Sequence, residues 1–274
     1  MARSSLFGLA LAVLLALLAA PALACAGADD CVEGLVFKHY ASEGRAKGVM
    51  AVFLHGDVSN GRNGDYMLSS AQRFVKDVPG ADAVVLLRPG YFDRDNRRSA
   101  GTDCGRRDCY TSEVVATVAD AIAQLKERFR ATTVLGFGHS GGSAILANVM
   151  GRRPGLLHGS VLTSCPCDIR SWKPNWRHSL SPLDAVAGVA KTAKVVAVTG
   201  RDDDNTAPPI AERYVDALKA AGKDARLVVV DGTHDYRTVR GAGLDALETM
   251  AGQPRWAGLL VREVWLATSG LCGD

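Results

Sequence analysis

Hydrophobic positions in this chain fall into short runs that switch between strand-like and helix-like periods. Val49 to Leu54 is a continuous apolar run of the kind buried on both faces of a sheet, and it ends in His55-Gly56-Asp57. Leu35 to Tyr40 predicts an earlier strand. Ala83 to Leu87 predicts another, ending in Arg88-Pro89-Gly90-Tyr91, and the pattern around Met67 to Val75 between them is helical. Glu113 to Phe129 gathers Val114, Val115, Val118, Ile122, Leu125 and Phe129 on one side of an amphipathic helix. Thr132 to Phe137 then predicts a strand that breaks at Gly138-His139-Ser140-Gly141-Gly142 and gives way to a helix ending at Gly151. Further strands are expected at Ser160 to Thr163, Val195 to Thr199 and Leu227 to Val230, with helices near Ile210 to Ala220 and Leu259 to Ala267.

Alternation of this kind, without an internal repeat or a polar linker, predicts one α/β domain with a mostly parallel central sheet and helices on both faces. Residues 91 to 110 interrupt it as an irregular insertion rich in Arg and Asp. Between Asp168 and Lys191 only a short excursion fits, Trp172 to Pro182, so no large cap domain is expected. Ligands of such sheets bind beyond the carboxyl ends of the strands. His55 to Val58, the insertion, Ser140, the segment from Cys165, Asp202 to Asp204 and His234 should therefore crowd one rim.

Residues 1 to 24 are read apart from this domain. Arg3, the apolar run Leu6 to Ala20 and Ala22-Leu23-Ala24 form the pattern of a cleaved secretory signal peptide, too short for a membrane anchor. Residues 25 to 274 then form the mature domain, of a size that can bury its own core. Cleavage would leave Cys25 first. A bacterial lipobox usually has Leu where Ala22 stands, so a soluble periplasmic or secreted protein is favoured over a lipoprotein. No other stretch is long and apolar enough to span a bilayer. Without Arg3 the balance is 31 basic against 29 acidic residues, which gives no reason to expect nucleic acid or an anionic membrane as partner.

The seven cysteines, Cys25, Cys31, Cys104, Cys109, Cys165, Cys167 and Cys272, suit an oxidising compartment, and their odd number leaves one without an intramolecular partner. Cys104 and Cys109 are expected to close a small loop. Cys25 or Cys31 with Cys272 would tie the termini together. Cys165-Pro166-Cys167 reads as structural or disulfide-bonded, because no nearby histidine pair completes a metal site. No metal or organic cofactor is expected.

Gly138-His139-Ser140-Gly141-Gly142 at a strand-to-helix junction has the form of a nucleophile elbow, where side chains at the flanking glycines would collide with strand and helix. A serine hydroxyl needs an adjacent base, and the base a third group to orient it. His234, in Asp231-Gly232-Thr233-His234-Asp235-Tyr236 beyond the final strand, is the candidate base, with His55 as runner-up. His139 and His158 also lie near strand ends, whereas His39 and His178 have no supporting context. The acid should come from Asp202, Asp203 or Asp204, and spacing alone does not choose among them. An oxyanion needs two preorganised donors. Gly141 would supply one backbone N–H, and Asp57 or Val58 the other.

His55-Gly56, Arg88-Pro89-Gly90-Tyr91, the elbow, Gly200-x-x-Asp203 and Gly232-Thr233-His234 together resemble an α/β-hydrolase, most similar to the dienelactone-hydrolase and prolyl-oligopeptidase-like branch, over roughly Val49 to Met250. The resemblance implies Ser140 as nucleophile, His234 as base and Asp203 as acid, since that acid commonly falls three residues after a glycine. Peptidases of this branch carry a large propeller ahead of the hydrolase domain, for which this sequence leaves no room. The resulting expectation is an exported serine hydrolase, foremost a carboxylesterase acting on a small-molecule ester or short acyl substrate. A small peptidase or amidase with the same triad is the second reading, and a non-catalytic binding protein on the same scaffold the third. Trp172, Trp176 and the insertion should form the rim. The insertion's Arg94, Arg97, Arg98, Arg106 and Arg107 alternate with Asp93, Asp95, Asp103 and Asp108, so a solvated, mutually neutralising loop is expected.

Overall fold

The structure, a computed structural model, describes residues 25, 30–44, 48–58 and 63–252. Eight strands form one sheet: β1 (Cys31–Val32), β2 (Leu35–Ala41), β3 (Val49–Leu54), β4 (Ala81–Leu86), β5 (Thr133–His139), β6 (Gly159–Thr163), β7 (Lys194–Gly200) and β8 (Asp224–Val230). Their order is β1-β2-β4-β3-β5-β6-β7-β8. The pairs from β4 through β8 are parallel, and only the β1 and β2 edge runs antiparallel. Register brings Leu54 level with both Leu86 and Gly138, and His139 level with Thr163. The carboxyl ends of the central strands therefore finish together, beneath one rim.

Helices cover both faces. Helix α1 (Leu68–Asp77) and α6 (Tyr236–Met250) bury Ala71, Phe74, Val239, Leu244 and Leu247 against Phe53, Phe137, Val161 and Val198. On the other face α2 (Ser112–Arg128), α3 (Gly141–Arg152) and α5 (Pro208–Ala220) bury Val118, Ile122, Ile145, Val149, Tyr214 and Leu218 against Met50, Val52, Leu162 and Val195. Consecutive residues of one strand point to opposite faces, so Val52 joins one core and Phe53 the other. Thr111 caps α2 by accepting a hydrogen bond from the Val114 N–H, as a threonine at that position does. A short α4 (Ile169–Trp172) lies within the excursion after β6. No cap domain occurs among the described residues, and none of their helices is long and apolar enough to cross a membrane.

The elements match the sequence pattern within a few residues, apart from the short β1 and α4 and one long helix. Helix α6 was not expected, because Gly241 and Gly243 interrupt its apolar period. Packing explains Gly243: a Cβ there would lie 2.9 Å from Thr163 Cγ2 and 3.0 Å from the Phe137 ring, so glycine lets the helix sit close on β5 and β6. The helix expected at Leu259 to Ala267 and the signal peptide expected at residues 1 to 24 lie outside the described residues.

Three disulfides are present among the described residues, Cys25–Cys31, Cys104–Cys109 and Cys165–Cys167. The second is as expected. The first corrects the pairing of Cys25 or Cys31 with Cys272: the two bond to each other across a sequence separation of 6, a short loop whose closure costs little chain entropy. Cys272 lies outside the described residues.

The two glycines of α6 should respond oppositely to substitution. Nothing lies within 4 Å of a Cβ at Gly241. Gly241→Ala should therefore raise stability by about 0.5–1 kcal/mol through helix propensity. Gly243→Val should lower it by about 1–3 kcal/mol through overpacking. Urea unfolding midpoints of the two variants check both signs.

Candidate active site

Ser140 stands between β5 and α3 with φ 51° and ψ −120°, a left-handed backbone that a non-glycine residue adopts only under constraint. The neighbouring glycines supply that constraint. A Cβ on Gly138 would lie 2.6 Å from the Ser143 backbone, and one on Gly142 would overlap the Leu54 carbonyl and sit 2.5 Å from that of His55. The first turn of α3 thus rests directly on the end of β3. The Ser140 N–H is anchored to the Thr163 carbonyl at 2.9 Å.

His234 reaches this serine from the loop between β8 and α6. Its Nε2 is 3.0 Å from Ser140 Oγ, and its Nδ1 lies 2.9 Å and 3.1 Å from the two carboxylate oxygens of Asp203. Local structure fixes both loops. Asp235 caps α6 by accepting from the Arg237 N–H, which sets the chain direction one residue after His234. Gly200 has no room for a Cβ beside the Gly232 and Thr233 carbonyls, so the loop after β7 packs on the loop after β8. Asp203 Oδ1 accepts from the N–H groups of Asn205 (3.0 Å) and Thr206 (2.7 Å) in an Asx turn. Asp202 and Asp204 are exposed, and only Asp203 is buried against the imidazole.

Burial alone would push the Asp203 carboxyl up, but its hydrogen bonds to His234 and Thr206 outweigh that and hold it below the usual carboxylate range. It stays ionised and accepts the Nδ1 proton, which leaves Nε2 free to take a proton from Ser140. Thr206 was not anticipated. Its hydroxyl lies 2.9 Å from Asp203 Oδ2 and 3.1 Å from His234 Nδ1, and can donate to that carboxylate or to the Ser164 carbonyl. Its place three residues after Asp203, where an Asx turn closes, is the only signal the sequence carries for it.

The remaining histidines have structural partners. His55 is fully buried; its Nδ1 donates to the Gly56 carbonyl and its Nε2 accepts from the Arg88 N–H, so it cannot serve Ser140 as base. His139 accepts at Nδ1 from the Tyr66 hydroxyl and donates at Nε2 to the His234 carbonyl. Tyr66 in turn accepts from the Gly56 N–H at 2.7 Å. One chain of hydrogen bonds therefore runs from the turn after β3, through the residue before Ser140, to the backbone of His234. His158 accepts from the Val134 N–H, His39 pairs with Asp82 and stacks on Phe129, and His178 is exposed.

A Cβ on Gly56 would come within 2.9 Å of Ser140 Cβ, so the chain leaving β3 passes directly beside Ser140. The N–H groups of Asp57, Val58 and Gly141 donate to no described residue. The Asp57 side chain meets Arg88, Tyr91 and Tyr110, three partners that spacing did not reveal. Trp172 and Trp176 are half-buried on the rim: Trp176 packs edge-on to Tyr110, and Trp172 donates to the Asn205 carbonyl. A separate cavity of about 180 Å³, lined by Phe37, Asp65, Leu68 and Arg94 among others, includes no member of the Ser140–His234–Asp203 set. Among the described residues no group of three His, Cys, Asp or Glu side chains is placed to hold a metal ion.

No protein-family sequence model matches this chain, and no curated protein matches it in sequence. Solved structures do share its architecture. Est1E from Butyrivibrio proteoclasticus, solved with ferulic acid bound, is similar at TM-score 0.60 with 15% identity, over 81% of this chain and 96% of that one. Esterase PE8 is similar at TM-score 0.58 with 18% identity, over 79% of this chain and 97% of that one. Dipeptidyl peptidase 4 of Porphyromonas gingivalis is similar at TM-score 0.59 with 14% identity, over 80% of this chain but only 33% of that one.

The two buried histidines beside the site make stability depend on pH. Burial, aided by the nearby Arg88 charge, pushes His55 down to about 3, and burial pushes His139 down to about 4, against an ordinary 6.5. Between those values and 6.5 the unfolded chain binds more protons than the folded one. Their stability contribution is therefore intact above pH 6.5 and is lost as pH falls below it. From pH 7 to 5 the loss should be roughly 2 kcal/mol per histidine. Urea midpoints across that range should fall steadily, and a flat profile would contradict the assignment of both as neutral.

Proposed function

We infer that this chain, which has the α/β-hydrolase fold, is a serine hydrolase, specifically a carboxylesterase acting on small ester or short acyl substrates. The observation that carries the reading is the continuous contact from Ser140 Oγ through His234, 3.0 Å away, to Asp203, 2.9 Å further on. In this reading Ser140 attacks the ester carbonyl while His234 Nε2 takes its proton, and Asp203 stabilises the imidazolium that forms. The N–H groups of Gly141 and of Asp57 or Val58 receive the negative oxygen of the tetrahedral intermediate. His234 then protonates the departing alkoxide, leaving an acyl-Ser140 enzyme. Water attacks that ester with His234 again as base; the bond to Ser140 Oγ then breaks, His234 returns the proton to that oxygen, and the carboxylic acid leaves.

Export of residues 25 to 274 after removal of a leader at 1 to 24 belongs to the same proposal. Three disulfides among the described residues suit an oxidising compartment. A small peptidase or amidase is the second reading, favoured by the likeness to dipeptidyl peptidase 4, although this chain spans about a third of that protein's length. Matched p-nitrophenyl ester and p-nitroanilide substrates separate the two by leaving group.

Intact mass after fluorophosphonate treatment tests the nucleophile. One adduct is expected on the wild-type protein and none on Ser140→Ala; an unmodified, folded wild type would sink the reading. Asp203→Asn should keep the fold but lower kcat about 10⁴-fold, because the amide favours the wrong imidazole tautomer. Steady-state ester hydrolysis near neutral pH gives that ratio.

A further inference from the structure

Around Asp57 the structure concentrates more hydrogen bonding than a rim residue needs. Its Oδ1 accepts from Arg88 Nη1 at 2.8 Å and from the Tyr91 hydroxyl at 3.0 Å, while Oδ2 accepts from the Tyr110 hydroxyl at 2.7 Å. Arg88 is 2% exposed, and Tyr91 and Tyr110 are also buried. The cluster adjoins the nucleophile. A Cβ on Gly141, the residue after Ser140, would lie 2.6 Å from the Tyr110 hydroxyl and 2.8 Å from Arg88 Nη1. The same atoms that hold the Asp57 carboxylate therefore pack against Gly141.

The three donors are framed by the insertion and its neighbours. Tyr91 and Tyr110 bracket residues 91 to 110, and Tyr110 directly follows the Cys104–Cys109 disulfide. The backbone of Tyr110 is fixed by Ser179 Oγ on its N–H side and by the Leu180 N–H on its carbonyl. The Asp108 carboxylate accepts from the N–H groups of Arg177, His178 and Ser179. Asp93 is buried and ties the first half of the insertion by accepting from the N–H groups of Asp95 and Arg97. The insertion is thus pinned at both ends.

We propose that residues 91–110 are a brace for the oxyanion-binding backbone, with Asp57 as the anchor and Arg88, Tyr91 and Tyr110 as positioning residues. This inference rests on the serine-hydrolase reading above. Its physical logic has two parts. The turn carrying the Asp57 and Val58 N–H groups is glycine-led and irregular, and holding the Asp57 carboxylate at three points removes its freedom before substrate arrives. Preorganised donors stabilise an oxyanion better than donors that must reorient, and small misplacements are costly. A bare carboxylate next to a developing oxyanion would also oppose catalysis. Arg88 and the two phenols neutralise it in place. Burial pushes the Asp57 carboxyl up, but the Arg88 charge and the hydrogen bonds from Tyr110, Arg88 and Tyr91 outweigh this, so it remains an ionised anchor.

Tyr91→Phe, Tyr110→Phe and the double variant remove donors without altering the Asp57–Arg88 charge pair. The readout is p-nitrophenyl acetate hydrolysis together with the affinity for a phenyl trifluoromethyl ketone, which forms a tetrahedral oxyanion on an active serine. Each single change should lower kcat about 10-fold and the double change about 30- to 100-fold, with KM within about twofold and inhibitor affinity falling by the same factor as kcat. A purely structural role would lower thermal stability without that split. The endpoint of fluorophosphonate labelling counts folded, competent protein in every variant. If the double variant does not fold, the single variants carry the same test. If the wild type labels without turning over the ester, initial labelling rates replace kcat. Variants that label fully with kcat within twofold of wild type, or with the loss confined to KM, would overturn the brace. A wild type that neither labels nor hydrolyses instead overturns the hydrolase reading beneath it.

Discussion

The geometry of the rim depends on one close approach of backbones. The first turn of α3 lies on the end of β3 so tightly that a methyl group on Gly142 would overlap the Leu54 carbonyl. Ser140 is thereby forced to a φ of 51°, out of line with both the strand before it and the helix after it. A non-glycine residue held there carries strain of about 1–3 kcal/mol. Register pairing of β5 with β3 and β6 on its two sides, together with two buried cores, offsets that strain. The same contact draws the exit of β3 alongside Ser140, so the turn at Gly56 and Asp57 is a direct consequence of how the helix seats.

Polar groups at the rim follow the rule that buried charge must be matched. Asp203 is surrounded by donors from Asn205, Thr206 and His234, and Asp57 by donors from Arg88, Tyr91 and Tyr110. Two ionised carboxylates therefore sit near Ser140 without being left unpaired. The uncharged partners are as constrained: His55 and His139 each have both ring nitrogens engaged, and burial keeps them neutral at pH 7. The chain Gly56–Tyr66–His139–His234 couples the turn after β3 to the backbone of His234. A perturbation of one loop would be felt at the other.

The insertion illustrates how composition can be misjudged. Its alternating Arg and Asp residues suggest mutual neutralisation in solvent, and Arg94, Arg98, Arg106 and Arg107 are indeed exposed while Arg97 pairs with Asp93. Asp93 is buried as a turn former, Asp108 holds three backbone N–H groups of the 177–179 segment, and Arg98 donates to the Gly90 carbonyl while lying over Phe92. Charge alternation reports net neutrality, whereas the burial of each group depends on what the rest of the chain brings to it. Trp172 and Trp176 belong to the rim and, as expected, pack between the insertion and the body, at the loop carrying Asp203.

Local pattern by itself determined the strand and helix order, the two-sided burial and the Gly-x-Ser-x-Gly junction, because each is written in periods of two or 3.6 residues or in glycines that backbone geometry requires. It also carried His234 as the histidine after the last strand. Helix α6 escaped it, since Gly243 is a packing requirement set by Phe137 and Thr163, residues 106 and 80 positions away in the chain and invisible to a local window. The choice of Asp203 over Asp202 and Asp204 had to lean on resemblance, and tertiary structure separates them by burial and by contact with His234. Thr206, the Tyr66–His139 link and the Arg88, Tyr91 and Tyr110 set around Asp57 were decided only in three dimensions. Each is a hydrogen bond between segments far apart in the chain, and such partners become neighbours only when the sheet has aligned its strand ends.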